Sequence, residues 1–285
     1  MSTQKDFLEI NESTVFIGDA LKIIEKLPSK SVQCIITSPP YWGMRDYNIT
    51  GQIGLEETLE QYLNNLLKVF CELMRVLKDD GLLWLNIGDG YTSGNRKYRA
   101  SDKKNPARKM ESRPNTPSGL KPKDLIGIPW RLALLLQAHG WYLRNDIIWH
   151  KPNAMPESVK DRPYRNHEYL FMFSKSEKYF FNYDVSKRNS KKNRSVWEVP
   201  IKPNSFNHNA VFPEGLIVPC IKLSTKNDSD YVLDPFFGSG TVGAVCEKID
   251  RKYIGIELNP EYIDSALVRI NKVNYTKNQS FKFSA

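Results

Sequence analysis

The stretch YVLDPFFGSGTVGAVCEKIDRKYIGIELNP, residues 231–260, limits the fold more than any other part of the chain. Val232-Leu233 reads as a buried strand. Gly238-Ser239-Gly240 is a turn open to backbone angles that most side chains forbid. A helix is expected from about Thr241. A second strand, Tyr253–Ile256, ends in Glu257, 17 residues beyond Gly240. Strand, glycine turn, helix and strand form one half of a doubly wound α/β sheet. A turn of this kind also serves helix packing alone. The acid ending the next strand favours a ligand, because an acid about 20 residues past such a turn binds ribose hydroxyls in dinucleotide folds. The turn is not the G-x-G-x-x-G of nicotinamide enzymes. A single tight turn flanked by Asp-Pro-Phe-Phe suits a nucleoside without a pyrophosphate, such as S-adenosylmethionine, whose carboxylate can meet N–H groups at a helix start.

The rest of the chain alternates in the same way. Val15–Ile17 and Val32–Thr37 read as strands, the second largely β-branched and apolar, as suits burial on both faces. Apolar positions 59, 62, 63, 66, 67, 70, 73, 74 and 77 mark one helix face. Asp79-Asp80-Gly81 is expected to end that helix, and LLWLNIGD follows as a strand. A helix over Pro129–His139, a strand over Asp146–Trp149 and a hairpin turning at Ser174-Lys175-Ser176-Glu177 come next. One helix, Pro260–Lys272, follows Glu257. The half-sheet then lacks an outer strand, which Val15–Ile17 can supply.

CIITSPPYWG, from Cys34, poses a chemical question. A buried strand stops abruptly and presents a hydroxyl, two prolines, a phenol and an indole. Ligand clefts of open α/β sheets lie at the carboxyl ends of strands, where Ser38, Gly238 and Glu257 would meet. An exocyclic amine on a base is a poor nucleophile because its lone pair is delocalised into the ring. It becomes reactive when acceptors hold its N–H bonds out of the ring plane. The Ser38 hydroxyl and the Pro39 carbonyl can do this, with the Pro39-Pro40 pair fixing the backbone. Tyr41 offers a ring for stacking, and Trp42 is expected to line the same pocket. A base must leave the duplex to reach it. The plain alternative is a turn whose aromatics cap the core.

These motifs together resemble the site-specific DNA amino-methyltransferases whose catalytic motif precedes the cofactor motif, the β arrangement. Thr37-Ser-Pro-Pro-Tyr-Trp resembles their catalytic motif in its cytosine-N4 form, which implies catalytic roles for Ser38, Pro39, Pro40 and Tyr41. Asp234–Thr241 resembles the cofactor loop, IGIELNP the ribose-binding strand end, and VFIGDA the segment whose Asp19 approaches the adenine. HNAVFPEGLI resembles the helix entry over the methionine moiety. The implied S-adenosylmethionine residues are Asp19, Ala20, Thr37, Phe212, Pro213, Asp234, Phe236, Gly238, Ser239, Gly240, Thr241 and Glu257. LRNDIIWHKPN and RPYRNHEYLFMFSKS match further family segments. The resemblance spans nearly the whole chain and lacks a large separate recognition domain. It implies one catalytic domain over 1–285, a doubly wound, mostly parallel α/β sheet of the methyltransferase type with a C-terminal antiparallel hairpin strand and circularly permuted motif order.

Charge bears on the substrate. The chain carries a formal net charge of +9. Residues 91–127 hold ten Lys or Arg against three acids, and 185–195 hold five and no acid. Two basic loops on a basic chain favour a polyanion, most simply double-stranded DNA. The expected DNA contacts are Arg96, Lys97, Arg99, Lys103, Lys104, Arg108, Lys109 and Arg113 in a 91–127 insertion. Lys187, Arg188, Lys191, Lys192 and Arg194 are expected in a 185–207 loop suited to target recognition. His150 and His167 are read as satisfied hydrogen-bonding groups rather than DNA or pocket contacts. Four scattered cysteines give no C-x-x-C pair, so no metal or disulfide framework is expected, and buried free thiols are. With no apolar span or leader-like start, a cytoplasmic protein is expected, monomeric or homodimeric, with a cognate restriction endonuclease as a possible partner. Cys34 lies inside an apolar strand, which argues against cytosine-C5 chemistry. Adenine N6 is the nearest alternative substrate. Methylation of a protein glutamine, or a DNA-binding module that holds cofactor without turnover, are the further ones.

Overall fold

The computed structural model describes residues 12–93, 98, 113–188, 194–201 and 212–282, without the side chains of Ser186, Arg188 and 276–282. Among the described residues, eight strands form one sheet in the order β1-β8-β7-β2-β3-β5-β4-β6. The strands are β1 (Thr14–Ile17), β2 (Val32–Thr37), β3 (Leu77–Ile87), β4 (Tyr142–His150), β5 (His167–Ser174), β6 (Val196–Glu198), β7 (Tyr231–Asp234) and β8 (Lys252–Glu257). Only β5 runs against its neighbours β3 and β4; the other pairings are parallel.

Period-two alternation puts side chains on both faces, and helices cover each. Ile35, Leu83, Leu85, Phe171 and Leu233 face α1 (Ala20–Ile24), α2 (Leu59–Val76) and α3 (Ile128–Ala138). Cys34, Ile36, Trp84, Leu170 and Val232 face α5 (Glu214–Ser224), α6 (Thr241–Lys248) and α7 (Pro260–Lys282). A short α4 (Tyr183–Arg188) precedes β6. Helix α2 follows its predicted stripe: Leu59, Tyr62, Leu66, Phe70 and Leu73 are buried, and a Thr58–Gln61 capping box closes its start. The outer strand is as expected, with Ile17 in register beside Glu257.

Three expectations are corrected. Asp79-Asp80-Gly81 does not end α2. The helix stops at Val76, and these residues belong to β3, where a bulge in the pairing with β2 absorbs them. Ion pairs with Lys30, Lys175 and Lys226 hold the two acids at the rim, and a Cβ on Gly81 would meet the Gln33 carbonyl at 2.8 Å. Second, Ser174–Glu177 turns no hairpin. Both edges of β5 are already taken by β3 and β4, so residues 178–182 have no place beside it. Their backbone reaches Asp80 and Leu223 instead, and the antiparallel strand is β5 itself. Third, Cys71 is exposed, because it lies off the buried stripe of α2; the other three cysteines are buried.

Candidate active site

The carboxyl ends of β1, β2, β3, β7 and β8 open on one cleft of about 590 Å³. Its floor is tied across the sheet. Thr37, the last residue of β2, donates from Oγ1 to Asp234 Oδ1 at 2.8 Å, and the Phe236 N–H donates to the same oxygen at 3.1 Å. Thr37 and Asp234 are buried beneath the cleft, where their hydrogen bond braces its floor. Burial pushes the Asp234 carboxyl up to about 7, against the hydrogen bonds from Thr37 and Phe236.

On one side lies the glycine turn. The Gly238 N–H donates to Glu257 Oε2 and the Asn259 N–H to Oε1, both at 2.7 Å. Each oxygen keeps a lone pair for a ligand hydroxyl. Burial raises the Glu257 pKa against these bonds. Ser239 Oγ is buried without a hydrogen-bond partner, and Ser239 lines the cleft. A buried hydroxyl left unpaired is costly, which marks it for a ligand. Ala20, Phe212, Phe236, Gly238 and Thr241 also line the cleft, as does Asp19, whose other role is to cap α1 through the Lys22 N–H. These groups fit a nucleoside with a polar tail: an acid for the ribose, an aromatic wall, and an open hydroxyl on the turn. Two further predicted contacts, Pro213 and Gly240, also stand outside the lining. Pro213 caps α5 outside the lining. Gly240 faces α7, where an added Cβ would lie 2.6 Å from the Ala266 Cβ, so helix packing requires this glycine.

On the other side Ser38, Pro39, Pro40 and Tyr41 line the cleft. The Pro40 carbonyl accepts from Tyr62 Oη at 2.8 Å, which fixes the loop on α2, while no described residue donates to the Pro39 carbonyl. Tyr41 Oη donates to Glu168 Oε2 at 2.8 Å, and Ser38 Oγ donates to Tyr41 Oη at 3.4 Å. The Tyr41 ring fills space beside Gly88, where an added Cβ would come within 2.8 Å of Cε2. Burial, then the Glu168 charge, holds the Tyr41 phenol far above its ordinary pKa, so it stays protonated. Trp42 does not line the pocket. It is buried in the core, and its indole N–H donates to the Glu56 carbonyl at 2.9 Å. Burial also pushes the Cys34 thiol up to about 12, which removes it as a nucleophile.

Sequence reading missed Glu168, Lys151 and Asn86, all of which line the cleft. Lys151 Nζ pairs with Glu168 Oε1 and sits 4.3 Å from the Trp149 ring centre, and Asn86 Nδ2 donates to Glu168 Oε2 at 3.2 Å. The usable signal was a lone carboxylate opening the apolar run of HEYLFMF. His150 pairs with Glu198 at 3.4 Å and His167 packs edge-on to Tyr169; neither lines the cleft.

Of the expected DNA contacts, Arg96, Lys97, Arg99, Lys103, Lys104, Arg108, Lys109, Lys191 and Lys192 lie outside the described residues, as does the side chain of Arg188. Arg113 is half-buried, and Lys187 and Arg194 are exposed. The root of the 91–127 insertion leaves the carboxyl end of β3 beside the cleft. Asp89 gathers it: Oδ1 accepts the N–H groups of Gly127 and Ile128, each at 3.0 Å, and Tyr91 bridges to Leu125.

A DNA methylase family model, covering N6 and N4 enzymes, matches residues 32–268. The Type II methyltransferase M.Cfr9I of Citrobacter freundii is 63% identical over 268 residues, covering 92% of this chain and 89% of its own length. Among solved structures, a PvuII DNA methyltransferase described as cytosine-N4-specific superposes with a TM-score of 0.69 at 22% identity, covering 94% of this chain and 92% of its own. A DNA modification methylase of Thermus thermophilus, TTHA0409, solved with S-adenosyl-L-methionine, superposes with a TM-score of 0.65 at 24% identity, covering 92% and 94%. The two structures establish the shared fold. The extent of the family match and the identity to M.Cfr9I establish descent: the chain belongs to the N6/N4 DNA methylases, which transfer methyl groups from S-adenosylmethionine to DNA.

Proposed function

We propose that this chain methylates the N4 amine of a cytosine flipped out of a specific duplex DNA sequence. One observation carries the reading: Ser38 opens on the same cleft as the Gly238 turn and Glu257. S-adenosylmethionine supplies a methyl group activated on sulfur. Glu257 and Asp19 hold the ribose and adenine, and Ser239 with the Gly238 turn holds the methionine end. Ser38 Oγ and the Pro39 carbonyl accept the amine N–H bonds and draw the nitrogen lone pair out of the ring. Tyr41, fixed by Glu168, supplies a wall for the base. No covalent enzyme intermediate is needed, because the nitrogen attacks directly.

Cytosine is favoured over adenine by the neutral serine at the head of the motif, in its Thr-Ser-Pro-Pro-Tyr-Trp setting. One domain carries the chemistry, and the basic segments 91–127 and 185–207 grip phosphates and read bases. The likeness to a Type II methyltransferase supports service as the modification arm of a restriction pair. The test is mass identification of the nucleoside formed when duplex DNA of mixed sequence is incubated with the protein and labelled cofactor. N4-methylcytosine is expected; N6-methyladenine would overturn the base assignment.

A further inference from the structure

Methylation leaves the amine nitrogen with a proton to lose, and the cleft holds a route for it. We propose that Glu168 takes up this proton, relayed through Ser38 and Tyr41, while Lys151 and Asn86 hold its carboxylate in place. The proposal rests on amine methylation in this cleft but not on which base carries the amine.

The direction of each hydrogen bond follows from the carboxylate end. An ionised carboxylate only accepts. Tyr41 Oη, 2.8 Å from Glu168 Oε2, must therefore donate to it. That spends the single phenol hydrogen, so Tyr41 can only accept from Ser38 Oγ, 3.4 Å away. The Ser38 hydrogen is then spent as well, and its lone pairs are left for the amine. The chain of donors thus runs one way, from the reacting nitrogen to Glu168.

The remaining contacts keep Glu168 in that role. Lys151 pairs with the other oxygen, Oε1, and Asn86 donates to Oε2 beside Tyr41. The two charged side chains are 14% and 19% exposed, so the pair is screened but not sealed from water. Glu168 can return its proton to solvent between turnovers. The other titratable groups nearby are engaged elsewhere or neutral. His150 pairs with Glu198 and Arg165 lies 3.5 Å from Asp89, while burial and nearby Arg165 and Lys151 lower the His167 pKa.

The step balances. The amine nitrogen uses its lone pair for the new N–C bond, at the expense of the S–C bond, whose electron pair stays on sulfur. One N–H bond breaks and its pair returns to nitrogen. That proton goes to Ser38 Oγ as the Ser38 proton goes to Tyr41 Oη and the Tyr41 proton goes to Glu168 Oε2. Ser38 and Tyr41 end as they began, and Glu168 ends as the neutral acid.

Tyr41→Phe keeps the ring and removes the relay; Glu168→Gln keeps the shape and removes the acceptor. Single-turnover methylation should slow about 10²-fold in each, the scale of a lost proton-transfer partner. Cofactor and DNA affinity should hold. The double variant should be no slower than the slower single, because one broken link breaks the whole relay. The solvent deuterium effect on the wild-type rate should vanish in both. A wild-type rate in Tyr41→Phe, losses that multiply in the double variant, or an unchanged isotope effect would each overturn the relay. Product identity separates the two readings: N6-methyladenine with these losses upholds the relay and sinks the base assignment. N4-methylcytosine made by Tyr41→Phe at full rate does the reverse.

Discussion

At the scale of single residues, the two glycines of the cofactor turn have different duties. Gly240 sits at φ +73° with the Ala266 Cβ closing off its side-chain position. Gly240→Ala should lose about 1–2 kcal/mol to the left-handed backbone and about 1–3 kcal/mol to overpacking, read from urea unfolding. Gly238, at φ +52°, has only the Phe236 carbonyl at 4.0 Å from an added Cβ. Gly238→Asp should lose only the left-handed backbone cost of about 1–2 kcal/mol, with no overpacking, yet lose cofactor affinity in calorimetry, because its carboxylate enters the cleft beside Glu257. Equal stability losses in the two variants would contradict this division. Asp234 gives a pH effect. Its folded-state value of about 7 stands above its ordinary 3.8, so the folded chain holds the proton more tightly than the unfolded one. The stability this contributes is complete below about pH 4 and lost as pH rises through about 7. Melting curves of Asp234→Asn should gain on wild type between those limits; a constant gap would mean that Asp234 does not titrate there. Ser38, Gly238 and Glu257 were legible as cleft residues because they lie at or just beyond the carboxyl ends of β2, β7 and β8. The hydrogen bond between Thr37 and Asp234 was not legible, because one sequence does not say which strand ends lie side by side. Glu168 was missed because a carboxylate in an apolar strand has meaning only beside its partners.

At the scale of elements, legibility followed the strength of the local pattern. Strands β2, β7 and β8 are short apolar runs buried on both faces, and α2 has a full stripe with a capping box. Tertiary pairing overrode local preference where the reading failed. Acids and a glycine entered β3 because lysines and the neighbouring backbone await them. Residues 178–182 alternate like a strand but find β5 occupied. Asp89, whose side chain is 3% exposed, holds the start of α3 against the carboxyl end of β3. Asp89→Ala would strip an acceptor from the N–H groups at the start of α3, at a cost of about 1–3 kcal/mol. The expected result is a lower melting temperature and weaker DNA binding, with cofactor affinity kept. Unchanged DNA affinity would show that the anchor does not serve the nucleic-acid face.

At the scale of the whole molecule, the chain carries a formal net charge of +9, with two segments rich in Lys and Arg, and the proposal that these grip phosphates has a salt signature. Neutralising Arg96, Lys97, Arg99 and Lys103 together should flatten the log–log salt dependence of DNA binding by about 0.9 per lost phosphate contact, measured by titration at several salt concentrations. An unchanged slope would assign these side chains to solvent. The order of strands has its own consequence. Thr37 and Asp234, which lock the cleft floor, are 197 residues apart in the chain. A ribosome adding about 5–20 residues per second leaves β2 without its β7 neighbour for about 10–40 s. Through that interval β2 offers a bare edge rich in isoleucine, and Ser38 stands beside half a cleft. The nascent chain therefore needs its β2 edge shielded until β7 arrives, and methylation cannot begin before β7 and β8 have been made.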